Sequence, residues 1–420
     1  MKSINIANGI NLISQQDDKF KTNFLSVNFL IPLKEKDASF NSLLHNVLKK
    51  GCAAYPDIKS INMRLEELYG ASFNSNIKKM GEAQILSFTI EFIKNEFSLG
   101  DDILKDCASF LKEIIFNPKL VNNAFDSVIT SKEKKNLVDF INSQMNDKRS
   151  YAVSRCHELM CENETYGISE YGKISEVESI TPSELYEHYI DLLKSSQILI
   201  FTKGNIDEKV ITTLFSDSFK NRDCIVTLSN NVNCNIEKIR EFTEKMPVNQ
   251  GKLTLCFRTG VSASDNNFPV LSLFNCLYGG SPTSKLFENV REKLSLCYYC
   301  SSMLEKHKGL MTVYSGVEDK NKDTAYNEIL AQLENIKNGD ITENELEAAR
   351  KALINTYKTI DDSFNMSLLY NLGQYLSGTN ITPEEFTNSL QNVRKDEIIS
   401  IAQSIKLDTV YFLSGDNIAQ

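Results

Sequence analysis

The sequence predicts an α/β protein built from two similar halves in tandem. Its 420 residues are too many for one ordinary core, and 41% hydrophobic with 24% charged residues is the composition of a globular chain. Strand and helix patterns of the first half recur in the same order in the second, with matching landmarks about 210 to 230 residues apart. A tandem duplication of a unit of roughly 210 residues is the simplest account.

The first half alternates strand-like and helix-like patterns. Apolar runs and period-two alternation predict its strands: Ile10–Ser14, Thr22–Leu33, Ala71–Lys78, Ala83–Phe92 and Gln197–Lys203. A 3.6-residue period with stop and cap signals predicts its helices: Ala38–Lys50, about 57–69, about 103–115, about 125–160, and one that begins at Thr181-Pro182-Ser183-Glu184.

The second half repeats that order. Its predicted strands are Lys252–Arg258, Leu296–Met303, Gly309–Ser315 and Asp408–Ser414. Its predicted helices are Pro269–Tyr278, a helix from Ser281 to about Leu294, and later long helices, one with a Thr342-x-x-Glu345 capping box. The predicted division is a first half at 1–228, a polar, Asn-rich linker at 229–250, and a second half at 251–420.

Charge and hydropathy limit the partners and the location. The formal net charge of −9 disfavours nucleic acid and anionic membranes as partners. The first ten residues lack the apolar core of a signal peptide, and no stretch approaches the ~18 apolar residues of a membrane span. We therefore expect a cytoplasmic protein.

Cysteine and histidine usage speaks against a zinc site made by this chain alone. Most of the ten Cys lie inside apolar runs, as small core residues do. The pair Cys297-Tyr-Tyr-Cys300 lies in a predicted strand, whereas a thioredoxin-like pair opens a helix. The four His are far apart in sequence, so carboxylates and Cys would have to supply nearly all zinc ligands.

The predicted helix Ala38–Lys50 has one polar face. Phe40 and four aliphatic residues form its apolar stripe, and the opposite side carries Ser42, His45, Asn46 and Lys49. We expect this face to be solvated or to meet another surface. The alternative is a metal site built around His45.

The segment Tyr278–Tyr298 offers a second candidate site. Arg291 ends a predicted helix and Tyr298 enters the next strand, so a guanidinium and a phenol could face one cleft and hold a peptide carbonyl or an oxyanion. The alternative for Arg291 is a surface ion pair. Backbone N–H groups of a helix starting at Ser281 could also bind an anion, although the segment is no phosphate loop.

This segment resembles the C-terminal signature of the pitrilysin/insulinase family of zinc metallopeptidases. The matching residues are Gly279, Gly280, Ser284, Leu286, Phe287, Arg291, Glu292, Lys293, Leu296 and Tyr298. The resemblance extends over the whole chain. It implies an α+β fold of two tandem homologous sandwich halves, each an antiparallel sheet covered by helices.

The same resemblance locates a degenerate zinc motif in the first half. Aligning the family's His-x-x-Glu-His motif through Lys50-Gly51 places its two His on Ser42 and Asn46 and its catalytic Glu on His45. The distal Glu ligand would fall near Phe140. Ser and neutral Asn do not replace imidazole as tight zinc ligands, and the general base is also missing.

The resemblance therefore implies a non-catalytic subunit of a bacterial heterodimeric metallopeptidase. Such a chain would line the peptide chamber and supply Arg291 and Tyr298, which bind substrate and stabilise the transition state, to a zinc-bearing partner. No cofactor is expected in this chain, since zinc would belong to the partner. Some zinc-less relatives are linked to elongation factor P modification or to peptide-antibiotic maturation.

Two alternatives remain open at the sequence level. One is a scaffold of the same fold without a role in proteolysis, which an intact Arg291 and Tyr298 disfavours. The other is an independent hydrolase that uses His45 or Cys297 as base or nucleophile, although no Asp or Asn is placed to orient His45.

Overall fold

A computed structural model describes residues 3–218, 222 and 225–415, and the chain divides into two compact units. The first unit comprises Met1–Asn142 and Ile168–Ser229, and the second comprises Ser143–Gly167 and Asn230–Gln420. The first unit contains a six-stranded sheet and the second a five-stranded sheet, each with helices packed against it.

The strands follow the alternating and apolar runs of the sequence. They are β1 Ser3–Ala7, β2 Ile10–Gln15, β3 Thr22–Pro32, β4 Ser72–Met80, β5 Ala83–Ile93, β6 Leu120–Val121, β7 Ala124–Phe125, β8 Gln197–Lys203, β9 Arg240–Met246, β10 Gly251–Arg258, β11 Cys297–Glu305, β12 Leu310–Val317 and β13 Lys406–Gly415.

The helices follow the 3.6-residue pattern. They are α1 Glu35–Leu48, α2 Ile58–Glu67, α3 Ile103–Phe116, α4 Ser127–Ser143, α5 Lys148–Met160, α6 Ile174–Ser179, α7 Pro182–Ser195, α8 Glu208–Ser216, α9 Phe268–Asn275, α10 Lys322–Lys337, α11 Glu343–Lys358, α12 Phe364–Leu376, α13 Pro383–Gln391 and α14 Lys395–Ser404. The capping boxes predicted at Thr181 and Thr342 are both present.

The two sheets share one topology. The first has the strand order β1-β2-β8-β3-β5-β4 and the second β11-β12-β10-β13-β9. Read from the opposite end, the second sheet reproduces the order β2-β8-β3-β5-β4 of the first. All pairings are antiparallel except β2 with β8 and β13 with β9, which are the same pair in each unit. The α+β fold with two homologous halves is confirmed, and its sheets are antiparallel apart from this pair.

The chain crosses between the units at α5. This helix belongs to the second unit, where Cys156 and Met160 pack with Cys256, Leu310 and Tyr411. Because its apolar side is buried there, a segment of the sequence-based first half contributes to the second core. The sequence-based linker 229–250 contains β9, which pairs with β13 at the sheet edge.

Three local features depart from the predicted helices. The pattern at 125–160 is broken by a 3₁₀ turn, Gln144–Asn146, after which the Asp147 side chain caps α5. The turns Cys276–Gly280 and Leu286–Lys293 are π-helical rather than α-helical. π-Turns are rare and occur frequently at functional sites, so this pair is a structural marker of the segment that carries Arg291.

Within the described ranges, no helix is both long enough and apolar enough to span a bilayer.

Candidate functional site

A cavity of about 280 Å³ lies beside α1 in the first unit, and we call it the His45 cavity. Its lining comes from α1, β4, α4 and Tyr171, and consists of His45, Asn46, Lys49, Ser75, Asn76, Ile77, Asn136, Leu137, Phe140 and Tyr171. Of the two predicted possibilities for the polar face of α1, solvation or contact with another surface, Ser42 and His45 show the second. Both are buried, because β4, α4 and the chain around Tyr171 cover that side of the helix.

Internal hydrogen bonds hold Ser42, His45 and Asn46, the residues that the predicted alignment places at the positions of the family's zinc motif. Ser42 Oγ donates to the Glu170 carbonyl oxygen at 2.8 Å. The Ser42 carbonyl oxygen in turn accepts from Asn46 Nδ2 at 3.2 Å and lies 2.8 Å from His45 Nδ1. Since a carbonyl only accepts, Nδ1 carries the imidazole proton. These contacts anchor α1 to itself and to the neighbouring segment.

His45 is a neutral imidazole. Its pKa is lowered to about 4, chiefly by burial and also by the nearby Lys49 ammonium, while the bond to the Ser42 carbonyl opposes both effects. Burial also lowers the pKa of Lys49, helped by the positive charge of Lys50 and opposed by Glu133. Lys50 forms an ion pair with the buried Glu133 at 3.4 Å.

The lining of the His45 cavity does not fit zinc. It offers one imidazole together with amides, hydroxyls and the Lys49 ammonium, and no carboxylate or thiol. Phe140, near which the family alignment places the distal Glu, lines the same cavity and packs edge-on against Tyr171 at 4.9 Å. In the part of the chain that the structure describes, no three His, Cys, Asp or Glu side chains converge as a metal site.

Arg291 and Tyr298 form a second candidate site in the second unit, which we call the Arg–Tyr surface. Arg291 lies on the second π-turn with its side chain 38% exposed. Its guanidinium stacks on the Phe287 ring at 4.4 Å and meets Glu292 at 3.6 Å. The surface ion pair considered for Arg291 is therefore present, and the side chain is still partly exposed.

Tyr298 is the more unusual member of the Arg–Tyr surface. It lies at the start of β11, the edge strand of its sheet, and is 79% exposed. Its hydroxyl makes no hydrogen bond to any described residue. A β-bulge between Cys297 and Cys300 adds one residue relative to β12 at this point, and bulges commonly redirect side chains next to active sites.

Arg149, which contacts the strand next to this bulge, was not identified from the sequence. Tyr299 packs against Arg149 of α5, whose guanidinium lies 4.6 Å from the Tyr299 ring and 4.5 Å from the Tyr314 ring. The cation held between two rings secures the strand directly beside Tyr298. Arg149 is about 150 residues from Tyr299 in the sequence, so no local sequence pattern predicts this contact.

The anion site considered at Ser281 is not formed, because no helix starts there. Ser281 ends the first π-turn, and the next helical turn begins after Lys285 without a side-chain cap. The preceding Gly279 is required by packing, since a Cβ there would lie 2.7 Å from the Ser302 backbone nitrogen.

Neither nucleophile considered for an independent hydrolase has a partner base. His45 Nδ1 faces a backbone carbonyl rather than a carboxylate. The pKa of Cys297 is lowered to about 7, chiefly by a hydrogen bond from Cys300 and also by Arg291, while burial opposes the shift. The Cys297–Cys300 pair lies on a strand, as predicted, and faces another thiol rather than an imidazole.

Taken together, the fold and the two sites define a duplicated α+β protein of the metallopeptidase type, with no zinc-ligand set among its described residues. A family model described as "Peptidase M16 inactive domain" matches residues 179–353. The chain is 35% identical to "Probable inactive metalloprotease YmfF" of Bacillus subtilis, over 95% of this chain and 94% of the relative.

Two further proteins are similar to this chain, one in sequence and one in structure. "Uncharacterized zinc protease YmxG" of Bacillus subtilis is 24% identical over 58% of this chain and 59% of that protein. The crystal structure of a conserved protein from Enterococcus faecalis V583 superposes with a TM-score of 0.90 at 29% identity, covering 100% of this chain and 99% of the other.

This chain belongs to the peptidase M16 family. The resemblance to pitrilysin/insulinase-type peptidases, predicted from the segment Tyr278–Tyr298, is confirmed.

Proposed function

We propose that this chain is the non-catalytic subunit of a two-chain peptidase and supplies Arg291 and Tyr298 to the active site of a zinc-bearing homologue. The observation that carries the proposal is Tyr298, which is 79% exposed and has a hydroxyl without a hydrogen-bond partner among the described residues. An exposed phenol on a bulged edge strand adds little to its own fold. This is typical of a side chain that acts on a second molecule.

The chemistry of the pair suits peptide-bond cleavage. When a nucleophile adds to a peptide carbonyl, negative charge develops on the oxygen, and a donor placed there stabilises the transition state more than the ground state. The Tyr298 hydroxyl is such a donor. The planar guanidinium of Arg291 can hold a second carbonyl or a carboxylate of the peptide through two parallel hydrogen bonds.

The proposal needs a partner because the His45 cavity has no zinc-ligand set. Zinc, when bound by the partner, supplies the activated water. The residues of this chain would line part of the peptide chamber and orient the substrate. One bacterium, Bacillus subtilis, contains relatives named as an inactive metalloprotease and as a zinc protease, so both kinds of homologue coexist in one organism.

Co-expression tests the proposal. This chain is produced together with an M16 homologue from the same genome that retains an intact His-x-x-Glu-His motif. We expect the two to co-elute in a one-to-one ratio and to hydrolyse peptides, with no activity from either chain alone. The matched control is the partner with its motif Glu changed to Gln, which should give an inactive complex that still assembles.

Two results would contradict the proposal. One is separate elution of the two chains at micromolar concentration. The other is chelator-sensitive hydrolysis by this chain alone, which would require a metal site that the described residues do not form.

A further inference from the structure

A second cavity lies in the second unit, lined by residues that neither the motif nor the proposed peptidase role involves. Its volume is about 400 Å³, within the size range of small-molecule sites. It is bounded by the loop before α9, by α11, α12 and α13, and by the turn between β11 and β12. Ligand sites typically combine apolar walls with a few polar groups, and this cavity has both.

Aromatic rings form the walls. Tyr357 stacks on Phe386 with ring centroids 4.1 Å apart and meets Tyr370 edge-on at 6.2 Å. Phe268 continues the wall from α9, 5.8 Å from Phe386. Because these rings already hold one another in place, the cavity is preformed for a flat apolar group.

The free polar atoms inside the cavity are donors. The Lys306 ammonium makes no ion pair and no hydrogen bond with a described residue, and it lies 5.9 Å from the centre of the Tyr370 ring. Gln374 Oε1 accepts from Thr379 Oγ1 and from the Ile381 backbone N–H, which leaves its amide nitrogen free. The Tyr357 hydroxyl also has no partner in the described ranges.

The acceptors around the cavity are already used or lie in water. Asp265 is exposed at the rim and accepts from the backbone N–H and hydroxyl of Ser262. Glu385 is exposed as well and accepts from the backbone N–H and hydroxyl of Thr382. These rim carboxylates are screened by solvent, whereas the Lys306 ammonium lies further inside.

Lys306 is held in an environment that disfavours its charge. Burial lowers its pKa, and Glu305 beside it opposes that effect only in part. The Lys306 ammonium also lies close to α12, since a Cβ on Gly373 would be 3.2 Å from Lys306 Nζ. Lys306 is only partly exposed and Glu305 compensates its charge incompletely, so a bound anion would offset the remaining cost of holding an ammonium group there.

We infer that this cavity binds a small organic carboxylate with an apolar or aromatic body. The carboxylate would meet Lys306, Gln374 and Tyr357, and its body would lie against Tyr370, Phe386 and Phe268. Such a site is independent of the Arg–Tyr surface, so it stands whether or not this chain serves a peptidase.

Three matched probes test the inference with the full chain: phenylacetate, phenylacetamide and phenethylamine, which share the ring and differ in charge. Ligand-detected NMR and titration calorimetry should show phenylacetate binding with a dissociation constant of roughly 1 mM or tighter. The neutral amide and the amine should bind more weakly. The order follows from an interior that presents donors and one positive charge.

Variants locate the binding. Lys306→Met keeps most of the side-chain length and removes the charge, and it should weaken phenylacetate binding about ten- to a hundredfold. Lys358→Met is the control, since Lys358 follows Tyr357 but lines a separate, neighbouring pocket. Tyr357→Phe, which removes one oxygen, should weaken binding severalfold and provides the answer should Lys306→Met fail to fold.

Four results would overturn the inference. They are equal or tighter binding of the amine, equal binding of the amide, undiminished phenylacetate binding in both Lys306→Met and Tyr357→Phe, and no binding of phenylacetate at ~10 mM.

Discussion

The His45 cavity and the Arg–Tyr surface show opposite uses of polar side chains. In the cavity, Ser42 and His45 are buried, and their polar atoms bond to backbone carbonyls of the same unit. On the surface, Tyr298 is exposed and its hydroxyl bonds to no described residue. In the His45 cavity the polar atoms bond within the fold, whereas on the Arg–Tyr surface the Tyr298 hydroxyl is available to another molecule.

The comparison distinguishes polar side chains whose hydrogen bonds stabilise the fold from a side chain whose hydroxyl does not. Buried polar side chains keep a region folded when backbone groups satisfy them, as the carbonyl oxygens of Glu170 and Ser42 do for Ser42, His45 and Asn46. The exposed Tyr298 hydroxyl bonds to no described residue, so removing it should change stability little, and the proposed intermolecular role can be tested separately from folding. The predictions below test each side of this contrast.

The largest expected difference concerns zinc. After dialysis against metal-free buffer, the purified chain should hold well under one zinc per molecule, because Ser42 and Asn46 provide no imidazole and the cavity has no carboxylate. Metal analysis by mass spectrometry gives the ratio. One tightly held zinc per chain would show that the His45 cavity is still a metal site.

The next effect concerns turnover of the reconstituted complex. Arg291→Lys keeps the charge but loses the planar fork, and we expect turnover to fall by about two orders of magnitude. Assembly should be unchanged, since the Arg291–Glu292 pair lies at the surface and contributes ~1 kcal/mol or less.

Lys293→Ala provides the matched control for Arg291→Lys. Lys293 lies on the same π-turn in an exposed position, and Asn289, at 2.8 Å, is its one hydrogen-bond partner among the described residues. We expect turnover close to that of the unmodified complex. Equal losses in both variants would mean that the π-turn, rather than the guanidinium, matters.

The pH dependence of stability tests whether His45 is a structural residue. Its pKa is about 4 in the folded chain against ~6.5 when unfolded, so the unfolded state binds more protons between these values. Stability from this residue is therefore complete above pH ~6.5 and is lost as the pH falls towards 4. The loss amounts to about 3 kcal/mol at most.

Urea unfolding at a series of pH values measures this effect, with His45→Asn as the comparison. The variant should lose less stability than the wild type between pH ~6.5 and ~4. Because burial also lowers the pKa values of His188 and His307, some pH dependence should remain in the variant. Titration of His45 near pH 6.5 by NMR would contradict a buried, neutral imidazole.

The smallest effect compares two serines of the first unit. Ser42→Ala removes the bond to the Glu170 carbonyl and should lower the free energy of unfolding by about 1 kcal/mol, since Gln84 still donates to that oxygen. Ser75→Ala should be neutral or stabilising, because Ser75 Oγ is buried without a hydrogen-bond partner. Equal losses would mean that Ser42 is not a specific anchor.

Local sequence signals predicted most of the fold. The capping boxes at Thr181 and Thr342 and the apolar runs of β3 and β8 depend on neighbouring residues, and the structure contains them as predicted. The packing of α5, a helix from the first half of the sequence, in the second unit could not be predicted. It depends on Cys156 and Met160 meeting residues ~100 to 250 positions away, which leave no local trace in the sequence.

At the candidate sites, too, the sequence predicted some features and not others. The family motif located Arg291 and Tyr298 in the sequence, but their exposure depends on a bulge and on π-turns, which the hydrophobic periodicity of the sequence does not predict. The helical wheel showed a polar face on α1 and could not reveal that β4 and α4 cover it. The pair Arg149–Tyr299 and the Lys306 cavity arise only from tertiary packing.

Turnover of two complexes that differ only in this chain tests the central claim most directly. One carries Tyr298→Phe, which removes a hydroxyl from the Arg–Tyr surface. The other carries Asn46→Ala, which removes a 3.2 Å bond within α1 at a former zinc-ligand position. We predict that Tyr298→Phe lowers turnover by about two orders of magnitude and that Asn46→Ala leaves it nearly unchanged. Full activity with Tyr298→Phe, or a comparable loss with Asn46→Ala, would contradict the account.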